Sequence, residues 1–363
     1  MIVGPVKNRM PGRVLVVLLE SLLLAQSVHR ADCQAGVLAR AVIAPAAGQL
    51  NGNSQVAATQ LTLPLKTDSV RFAVIGDSGT GEKQQYEIGR EMALYHDKVL
   101  FDFVIMLGDN IYGGKSPADF KRKFEEPYKP LLDAGVKFYA SLGNHDDPNE
   151  RFYKPFNMGG KRFYSFKRGK VEFLVLDSNY MDPEQLDWLG KELQASTSAW
   201  KICYFHHPLY SEGKFHGPDK DLRRLIEPIF EKNRVNVVFS GHEHVYERIK
   251  PQNGTYYFVI GNSGELRANN LRQSAETAKG FDTDRTFMLV EIAGDQFYFQ
   301  TVSRVGETVD SGVLERQTSS TQSKTQRGHG TVVGENLAIG ARNSGATRAS
   351  YQLQRVRQSY IPN

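Results

Sequence analysis

The chain has 363 residues, of which 40% are hydrophobic and 23% are charged, and its formal net charge is +5. This composition is typical of a globular protein with one large domain or two small ones. Seven basic and two acidic residues lie between Glu315 and Asn363, which accounts for the whole positive excess. The rest of the chain is therefore neutral, which argues against a nucleic-acid-binding face and against nucleic acid as the main partner.

The first 27 residues have the pattern of an export signal. Three basic residues precede the apolar run Val14–Ala25, and small residues at Ala25 and Ser27 form a cleavage site. Glu20 interrupts the apolar run, which leaves an uncut N-terminal anchor as the alternative. No later segment is apolar over the ~20 residues that a spanning helix needs. The sequence predicts a signal peptide over residues 1–27 and a secreted or periplasmic protein without membrane contact after its removal.

The segments on either side of the patterned region have weak apolar periodicity. Residues 28–69 are polar and predict a linker, and residues 316–363 are rich in Ser, Thr, Gln and Gly, which predicts a disordered basic tail. The two cysteines are Cys33 and Cys203. A disulfide between them is one interpretation, but Cys203 lies in an apolar run, which favours a buried free thiol. The sequence predicts a single catalytic domain over residues 70–315.

Within that domain, five apolar strand-like runs each end in a cluster of polar residues. The clusters are Gly76-Asp77, Gly108-Asp109, Gly143-Asn144-His145-Asp146, His206-His207 and Gly241-His242-Glu243-His244. Helix-like segments alternate with the runs, at Gln84–Tyr95, Ala118–Leu132, Pro183–Leu193 and Asp221–Lys232. This alternation predicts an α/β fold, whose sites form at the carboxyl ends of the strands.

Two further stretches have the pattern of antiparallel hairpins. One pairs Arg162–Phe166 with Val171–Leu176, and the other pairs Phe287–Ile292 with Gln296–Ser303. Antiparallel pairs beside alternating strands and helices predict two packed mixed β-sheets with helices outside.

The polar clusters contain the ligand types of a metal centre. Three imidazoles, two carboxylates and an amide oxygen exceed what one tetrahedral zinc ion takes, and they suit two adjacent metals. Each cluster alone is a weak signal, because Gly-Asp after a strand is usually a turn. Turn chemistry does not require histidine, so the set together predicts a site for two metals that clamp a phosphoryl group. The candidate ligands are Asp77, Asp109, Asn144, His206, His242 and His244.

The five clusters resemble the sequence blocks of the purple acid phosphatases, which belong to the calcineurin-like metallophosphoesterases. The matching blocks are Gly76-Asp77-Ser78-Gly79, Gly108-Asp109-Asn110-Ile111-Tyr112, Gly143-Asn144-His145-Asp146, Cys203-Tyr204-Phe205-His206 and Gly241-His242-Glu243-His244. The resemblance covers residues 70 to 305. It implies the four-layer sandwich of that superfamily and the hydrolysis of phosphomonoesters by attack of a metal-bound hydroxide at a dinuclear site.

The resemblance also implies an assignment of ligands to two metals. An iron(III) site takes Asp77, Asp109, Tyr112 and His244, and a divalent site for iron, zinc or manganese takes Asp109, Asn144, His206 and His242. Gly79 stands where most of the superfamily has a histidine ligand, and Tyr112 takes that role in the purple enzymes. His207 is the alternative to His206, which we prefer because it stands two residues before Pro208, as in the family.

Two further histidines are candidates for catalysis. His145 follows the ligand candidate Asn144, so its ring is expected to reach the bound phosphate. His216 resembles a histidine that some members of the family place over the leaving group. Because a histidine is protonated near neutral or acid pH, either ring can stabilise the phosphate or donate a proton to the departing oxygen.

Three other functions remain open from the sequence alone. A phosphodiesterase of the same fold, acting on nucleotides or lipid head groups, would share the metal ligands and differ in rim loops. A non-catalytic metal-binding or scaffold protein would have a decayed site, whereas every expected ligand type is present here. A polyanion-binding protein would use the basic tail and bind without residues 70–305. The sequence does not decide the oligomeric state.

Overall fold

The computed structural model describes residues 61–316, which form thirteen strands and five α-helices. The predicted signal peptide, most of the predicted linker, Cys33 and residues 317–363 lie outside the described residues. The strands are β1 Val70–Ile75, β2 Phe103–Met106, β3 Lys137–Ala140, β4 Tyr164–Arg168, β5 Val171–Val175, β6 Trp200–Tyr204, β7 Val237–Ser240, β8 Tyr246–Gln252, β9 Thr255–Ile260, β10 Thr277–Phe281, β11 Thr286–Ala293, β12 Gln296–Ser303 and β13 Thr308–Glu315. The helices are α1 Lys83–Val99, α2 Pro117–Phe120, α3 Lys129–Asp133, α4 Pro183–Ala195 and α5 Lys220–Asn233.

The strands form two mixed sheets. The first has six strands in the order β13-β12-β11-β1-β2-β3, and the second has seven in the order β10-β8-β9-β7-β6-β5-β4. In the first sheet β1, β2 and β3 are parallel, and in the second β5, β6, β7 and β9 are parallel. The carboxyl ends of these parallel strands therefore lie where the sequence analysis placed the polar clusters.

The two sheets pack face to face through aromatic side chains. Phe72 of β1 and Phe103 of β2 each make an edge contact with the ring of Phe173 in β5, at centroid distances of 5.2 and 5.4 Å. Phe72 also contacts Phe239 of β7 at 6.3 Å. Rings in such perpendicular contacts add to the stability that burial of their apolar surface provides.

Helices cover the outer faces of both sheets. Helix α1 buries Ile88, Met92 and Tyr95 as part of the same core as the first sheet. Helices α4 and α5 bury Leu189 and Phe230 against the outward side chains of the second sheet. The prediction of two packed mixed sheets flanked by helices is confirmed.

One predicted helix is wrong as a single element. The segment Ala118–Leu132 forms α2, then a π-helical turn over Lys121–Glu125, then α3. Pro127 and Pro130 lie within it, and a proline in a helix interior removes a backbone donor and clashes with the preceding turn. These prolines explain why the helical pattern does not continue as one helix.

Three further observations concern the described residues. The described part of the predicted linker, residues 61–69, contacts the first sheet: Leu63 is 6% exposed, and the backbone N–H of Leu65 donates to Glu291 Oε2 at 2.7 Å. Cys203 is a buried free thiol among the described residues. Within residues 61–316 no helix has the length and apolarity to span a membrane.

Candidate metal centre

The candidate ligands lie in loops at the carboxyl ends of β1, β2, β3, β6 and β7. Three of them adopt left-handed backbone conformations, with φ of 51° at Asp77, 51° at Asp109 and 70° at His242. Such strained turns occur at functional sites, because they direct a side chain away from the strand path. Backbone hydrogen bonds between the loops fix their relative positions, as in Asp77 N to Gly108 O at 3.0 Å and Gly241 N to His206 O at 2.9 Å.

Three candidate ligands form a triangle at one side of the site. The hydroxyl of Tyr112 lies 3.3 Å from Asp77 Oδ1 and 3.3 Å from His244 Nε2. The same His244 Nε2 lies 3.4 Å from Asp77 Oδ1. Side-chain atoms from three different loops therefore lie within 3.4 Å of one another.

Four other candidates meet around one nitrogen atom of His206. Asn144 Oδ1 lies 2.9 Å from His206 Nε2, and His242 Nδ1 lies 3.1 Å from it. Asp109 Oδ2 lies 3.4 Å from the same atom. Asp77, Asp109 and His206 also have ligand atoms within 4.8 Å of one another, so the two groups of side chains adjoin.

The protonation of His206 decides what this second group can hold. Its Nδ1 lies 3.0 Å from the carbonyl oxygen of Leu107, which places the ring proton on Nδ1 and leaves Nε2 as an acceptor. Burial of the ring lowers the pKa of His206 to about 3, so Nε2 stays unprotonated in mild acid. Nε2 and the Asp109 oxygen are then two acceptors facing each other, an arrangement that a cation between them stabilises. The donor set fits a bound metal ion.

The position of Gly79 explains why the first group contains a tyrosine. A Cβ atom on Gly79 would lie 1.8 Å from the carbonyl oxygen of Asn110, so no larger residue fits there without moving the backbone. Tyr112 N donates to Gly79 O at 3.0 Å, which brings the tyrosine beside this glycine. Burial raises the pKa of the Tyr112 hydroxyl well above its usual value, and the charges of Asp77 and Asp109 add to the rise. A phenolate at this position therefore needs a strongly charged cation beside it.

Asp146 is a supporting residue whose role the sequence analysis did not identify. Its carboxylate accepts hydrogen bonds from the backbone N–H of Asn110 at 2.7 Å, of Ile111 at 3.1 Å and of Gly143 at 2.8 Å. Burial raises the pKa of this carboxyl group well above its usual value. Asp146 fixes the loop after β2 to the loop after β3, and its place in Gly143-Asn144-His145-Asp146 was the available signal.

The two histidines after β6 have different surroundings. His206 is fully buried among the other candidate ligands, whereas His207 is partly exposed and its Nδ1 lies 2.8 Å from the Ser178 hydroxyl. The His207 ring also lies 4.5 Å from that of His242, and His206, His207 and His242 form a second group with ligand atoms within 4.8 Å. The geometry around Nε2 of His206 favours that residue as the ligand, with His207 beside it.

The two catalytic candidates lie on either side of the cluster. The exposed ring of His145 lies 5.0 Å from the ring of Tyr112, and its backbone N–H donates to Asp109 Oδ1 at 2.9 Å. The ring of His216 lies 4.0 Å from that of His242. Partial burial of the His216 ring, and then the charge of Arg267, lower the pKa of His216 to about 4.

The loop that carries His216 is fastened by Glu243, a second residue that the sequence analysis missed. Glu243 is 0% exposed, and its Oε1 accepts the backbone N–H groups of His216, at 2.5 Å, and of Gly217. Its Oε2 accepts from the amide of Asn270 at 2.7 Å. Glu243 stands between His242 and His244. The loop after β7 therefore carries candidate ligands and also fixes the position of the loop that contains His216.

Comparisons with known proteins show which proteins this chain is similar to. The family model described as Calcineurin-like phosphoesterase matches residues 70–246. Purple acid phosphatase 7 of Arabidopsis thaliana is 26% identical over 294 residues, which are 70% of this chain and 87% of the relative.

Two solved structures share the fold. The structure of purple acid phosphatase PPD1 from yellow lupin, Lupinus luteus, has a TM-score of 0.59 and 19% identity, over 70% of this chain and 55% of that one. The structure of GAP50, the anchor in the inner membrane complex of Plasmodium, has a TM-score of 0.62 and 19% identity, over 69% of this chain and 90% of that one. Over residues 70–246 the chain is similar to the calcineurin-like phosphoesterases, and the relatives that it matches include purple acid phosphatases.

Proposed function

We propose that this protein is a two-metal acid phosphatase that hydrolyses phosphomonoesters. The observation that carries the proposal is the convergence of metal-ligand atom types in two adjoining groups, around Asp77 Oδ1 and around His206 Nε2. In the second group, acceptor atoms of Asn144 and Asp109 face the ring nitrogen. Acceptors that face one another in a buried site are costly unless a cation lies between them. Relatives named as purple acid phosphatases support the reaction type.

The ligands divide between the two metals according to these groups. Asp77, Tyr112 and His244 would hold the first metal, and Asn144, His206 and His242 the second, with Asp109 shared. Two carboxylates, a phenolate and one imidazole favour iron(III) at the first site, whereas the ligands of the second suit divalent iron, zinc or manganese.

The reaction follows from what this site can hold. Two bound metals would lower the pKa of a water molecule and neutralise charge on the phosphoryl oxygens. Hydrolysis would leave the oxygen of that water, with one of its protons, on phosphorus, and its other proton would pass to the departing oxygen as the bond to the leaving group breaks. We assign His145 to the transferred phosphoryl group, because its ring is exposed beside Tyr112, and His216 to the departing oxygen, because its ring packs on His242.

The experiment measures hydrolysis of p-nitrophenyl phosphate and bis-p-nitrophenyl phosphate from pH 4 to pH 8, together with the metal content of the purified protein. We expect two metals per chain, faster hydrolysis of the monoester, and loss of activity after strong chelation. Faster hydrolysis of the diester would favour the phosphodiesterase alternative. A metal-loaded protein that hydrolyses neither ester would refute catalysis and favour a non-catalytic metal-binding protein.

Export of the protein is a separate proposal that rests on residues 1–27. Their basic residues, apolar run and small-residue cleavage site have the pattern of a signal peptide. Expression of the full chain, followed by N-terminal sequencing of the secreted and cell-bound fractions, tests it. A mature protein that begins near residue 28 is expected, whereas a cell-bound chain with residues 1–27 intact would show an uncut anchor.

A further inference from the structure

Arg267 lies in the loop that follows β9, and this loop is attached to the candidate metal centre at two points. The backbone N–H of Glu265 donates to Asp77 O at 3.0 Å, and that of Arg267 donates to His244 O at 3.0 Å. Gly264 between them approaches Ser78 so closely that a Cβ would lie 2.4 Å from the Ser78 carbonyl oxygen. The backbone of Arg267 is therefore held beside two candidate ligands.

Among the described residues, the guanidinium of Arg267 has no partner of opposite charge. Within residues 61–316 it makes neither a hydrogen bond nor an ion pair, and its buried Nε atom has no hydrogen-bond partner. Other partly buried arginines differ in this respect, since Arg248 pairs with Asp310 and Arg304 pairs with Glu87 and Asp284. An unpaired arginine is the feature that an anion-binding position requires.

An aromatic ring holds this guanidinium in place. The central carbon of Arg267 lies 3.5 Å from the ring centroid of Phe215, a stacked contact that leaves the edge of the guanidinium free to bind an anion. The Phe215 side chain is 60% exposed, which is unusual for a large apolar side chain beside a polar site. Its role as a platform for Arg267 accounts for that exposure.

The stack of Phe215 and Arg267 adjoins the catalytic candidate on the leaving-group side. The ring of Phe215 lies 4.5 Å from that of His216, which lies 4.0 Å from that of His242. The guanidinium of Arg267 is therefore absent from both groups of ligand atoms but lies beside them, through its contact with Phe215.

We infer that Arg267 binds a second anionic group, a carboxylate or a phosphate, carried by the leaving group of the substrate. The inference rests on the proposed phosphatase function and narrows its substrate class to phosphomonoesters with an additional anion. A planar guanidinium forms two parallel hydrogen bonds to either anion, so the shared chemistry is a group with two acceptor oxygens. The Phe215 ring fixes the side from which that group approaches.

Three phosphonates that cannot be hydrolysed separate binding from catalysis. Benzylphosphonate has no second anion, 4-carboxybenzylphosphonate adds a carboxylate, and 4-(phosphonomethyl)benzylphosphonate adds a second phosphonate. Calorimetric titration of the metal-containing protein gives the dissociation constant of each. We expect at least one of the two probes that have a second anionic group to bind about tenfold more tightly than benzylphosphonate. That difference is the scale of a charge-assisted hydrogen-bonded pair. The tighter of the two identifies the carboxylate or the phosphate.

The variant that tests the assignment is Arg267→Gln, and its matched control is Lys214→Gln. Lys214 lies on the same rim, next to Phe215, but its ammonium group already donates to Asn269 O at 2.8 Å. Arg267→Gln is expected to abolish the tenfold preference and to leave the affinity for benzylphosphonate within about twofold, whereas Lys214→Gln keeps the preference.

Two outcomes would overturn the inference. The first is wild-type protein that binds neither substituted phosphonate more tightly than benzylphosphonate. The second is an Arg267→Gln variant that weakens all three equally, which would place Arg267 on the transferred phosphoryl group. A separate assay of phenyl phosphate hydrolysis reports on the proposed function itself, since that ester has no second anion.

Discussion

At the scale of single residues, the proximity of the candidate ligands was predictable because they lie in the loops that follow strand ends. A side chain at the carboxyl end of a parallel strand is placed by local sequence, and Asp77 and Asp109 illustrate this. Asp146, Glu243 and Arg267 were not predictable in the same way. Their roles depend on partners far away in the chain, as when Glu243 holds His216, and a single sequence does not show such pairings.

His145 is expected to serve catalysis without binding metal. We predict that His145→Ala lowers kcat by roughly 10²–10⁴, the scale of proton-transfer and charge-stabilising groups, and keeps both metals. Assays of kcat alongside elemental analysis of metal content test both parts. His96→Ala, which removes a histidine packed on Phe101 away from the site, is the control. Loss of a metal from the His145 variant would contradict the assignment.

Tyr112 is the residue on which the iron(III) assignment depends. A phenolate bound to iron(III) absorbs visible light, so we predict that the iron-loaded protein is coloured and that Tyr112→Phe loses the band while keeping the ring. Tyr86→Phe, which removes a hydroxyl bonded to Glu126 Oε2, is the control and should stay coloured. A visible band that survives in the Tyr112 variant would refute phenolate binding, and a colourless iron-loaded wild type would require a different first metal.

At the scale of elements, apolar runs predicted most of the central strands, whereas β9 and strands with charged or interrupted sequences were missed. Strand β8 contains Glu247, Arg248, Lys250 and Pro251, so its sequence lacks a strand pattern. Its pairing with β9 and β10 arises from tertiary contacts, which override local propensity. The segment around Pro127 shows the opposite error. One continuous helix was predicted there, although proline ends or interrupts helices.

The rim loop that carries His216 should depend on Glu243. We predict that Glu243→Gln lowers kcat about tenfold, because hydrogen bonds to a charged acceptor are the stronger ones and their loss frees His216 and Gly217. If Glu243 acts through His216, the substitution should have little further effect in a His216→Ala background, which a double-mutant cycle measures. Additive losses in the double variant would show that Glu243 acts on the site by another route.

The loop that contains Tyr112 is connected to α2 through Lys123, which forms an ion pair with Asp119 that should persist in acid. Lys123 Nζ lies 2.8 Å from Asp119 Oδ1 and donates to Tyr112 O at 2.5 Å. The Lys123 ammonium, and then the Ser116 hydroxyl, hold the pKa of Asp119 below its ordinary value of 3.8. Because the pKa is lowered in the folded state, the carboxylate stabilises the fold fully at pH above that ordinary value. The contribution declines as pH falls below the ordinary value and is gone once pH lies below the lowered pKa.

We therefore predict that Asp119→Asn lowers Tm at pH 6 and at pH 5 by the same amount. The difference from wild type should shrink as pH falls below about 3.8, where the unfolded carboxyl group is protonated. Thermal unfolding monitored by circular dichroism at each pH measures it. Asp133→Asn, which removes an exposed pair with Lys129, is the control and should change Tm little at any pH. A difference that stays constant down to pH 3 would exclude a role for the charge of Asp119.

At the scale of the whole molecule, residues 61–69 contact the folded region although the sequence predicted a linker there. The sequence placed the start of the domain at residue 70, because residues 61–69 show no periodic pattern. In the structure, Leu63 is buried, and Glu291, 0% exposed, accepts the backbone N–H of Leu65 at 2.7 Å and of Lys66 at 2.5 Å. A segment held by one apolar side chain and by backbone donors has no sequence signature. At the other end, β13 ends at Glu315 and the described residues end at Arg316.

These contacts lead to a prediction about where the chain can be shortened. A chain of residues 61–316 should keep the kcat of the full protein, because it retains both sheets and every candidate ligand. A chain of residues 70–316 should be less stable by about 3 kcal/mol, since it exposes the site of Leu63 and leaves the buried Glu291 carboxylate without two donors. Urea unfolding and kcat measurements on the three chains test both statements. Equal stability of the two shortened chains would show that residues 61–69 contribute nothing to the fold, and failure of residues 61–316 to fold would show that the domain extends beyond them.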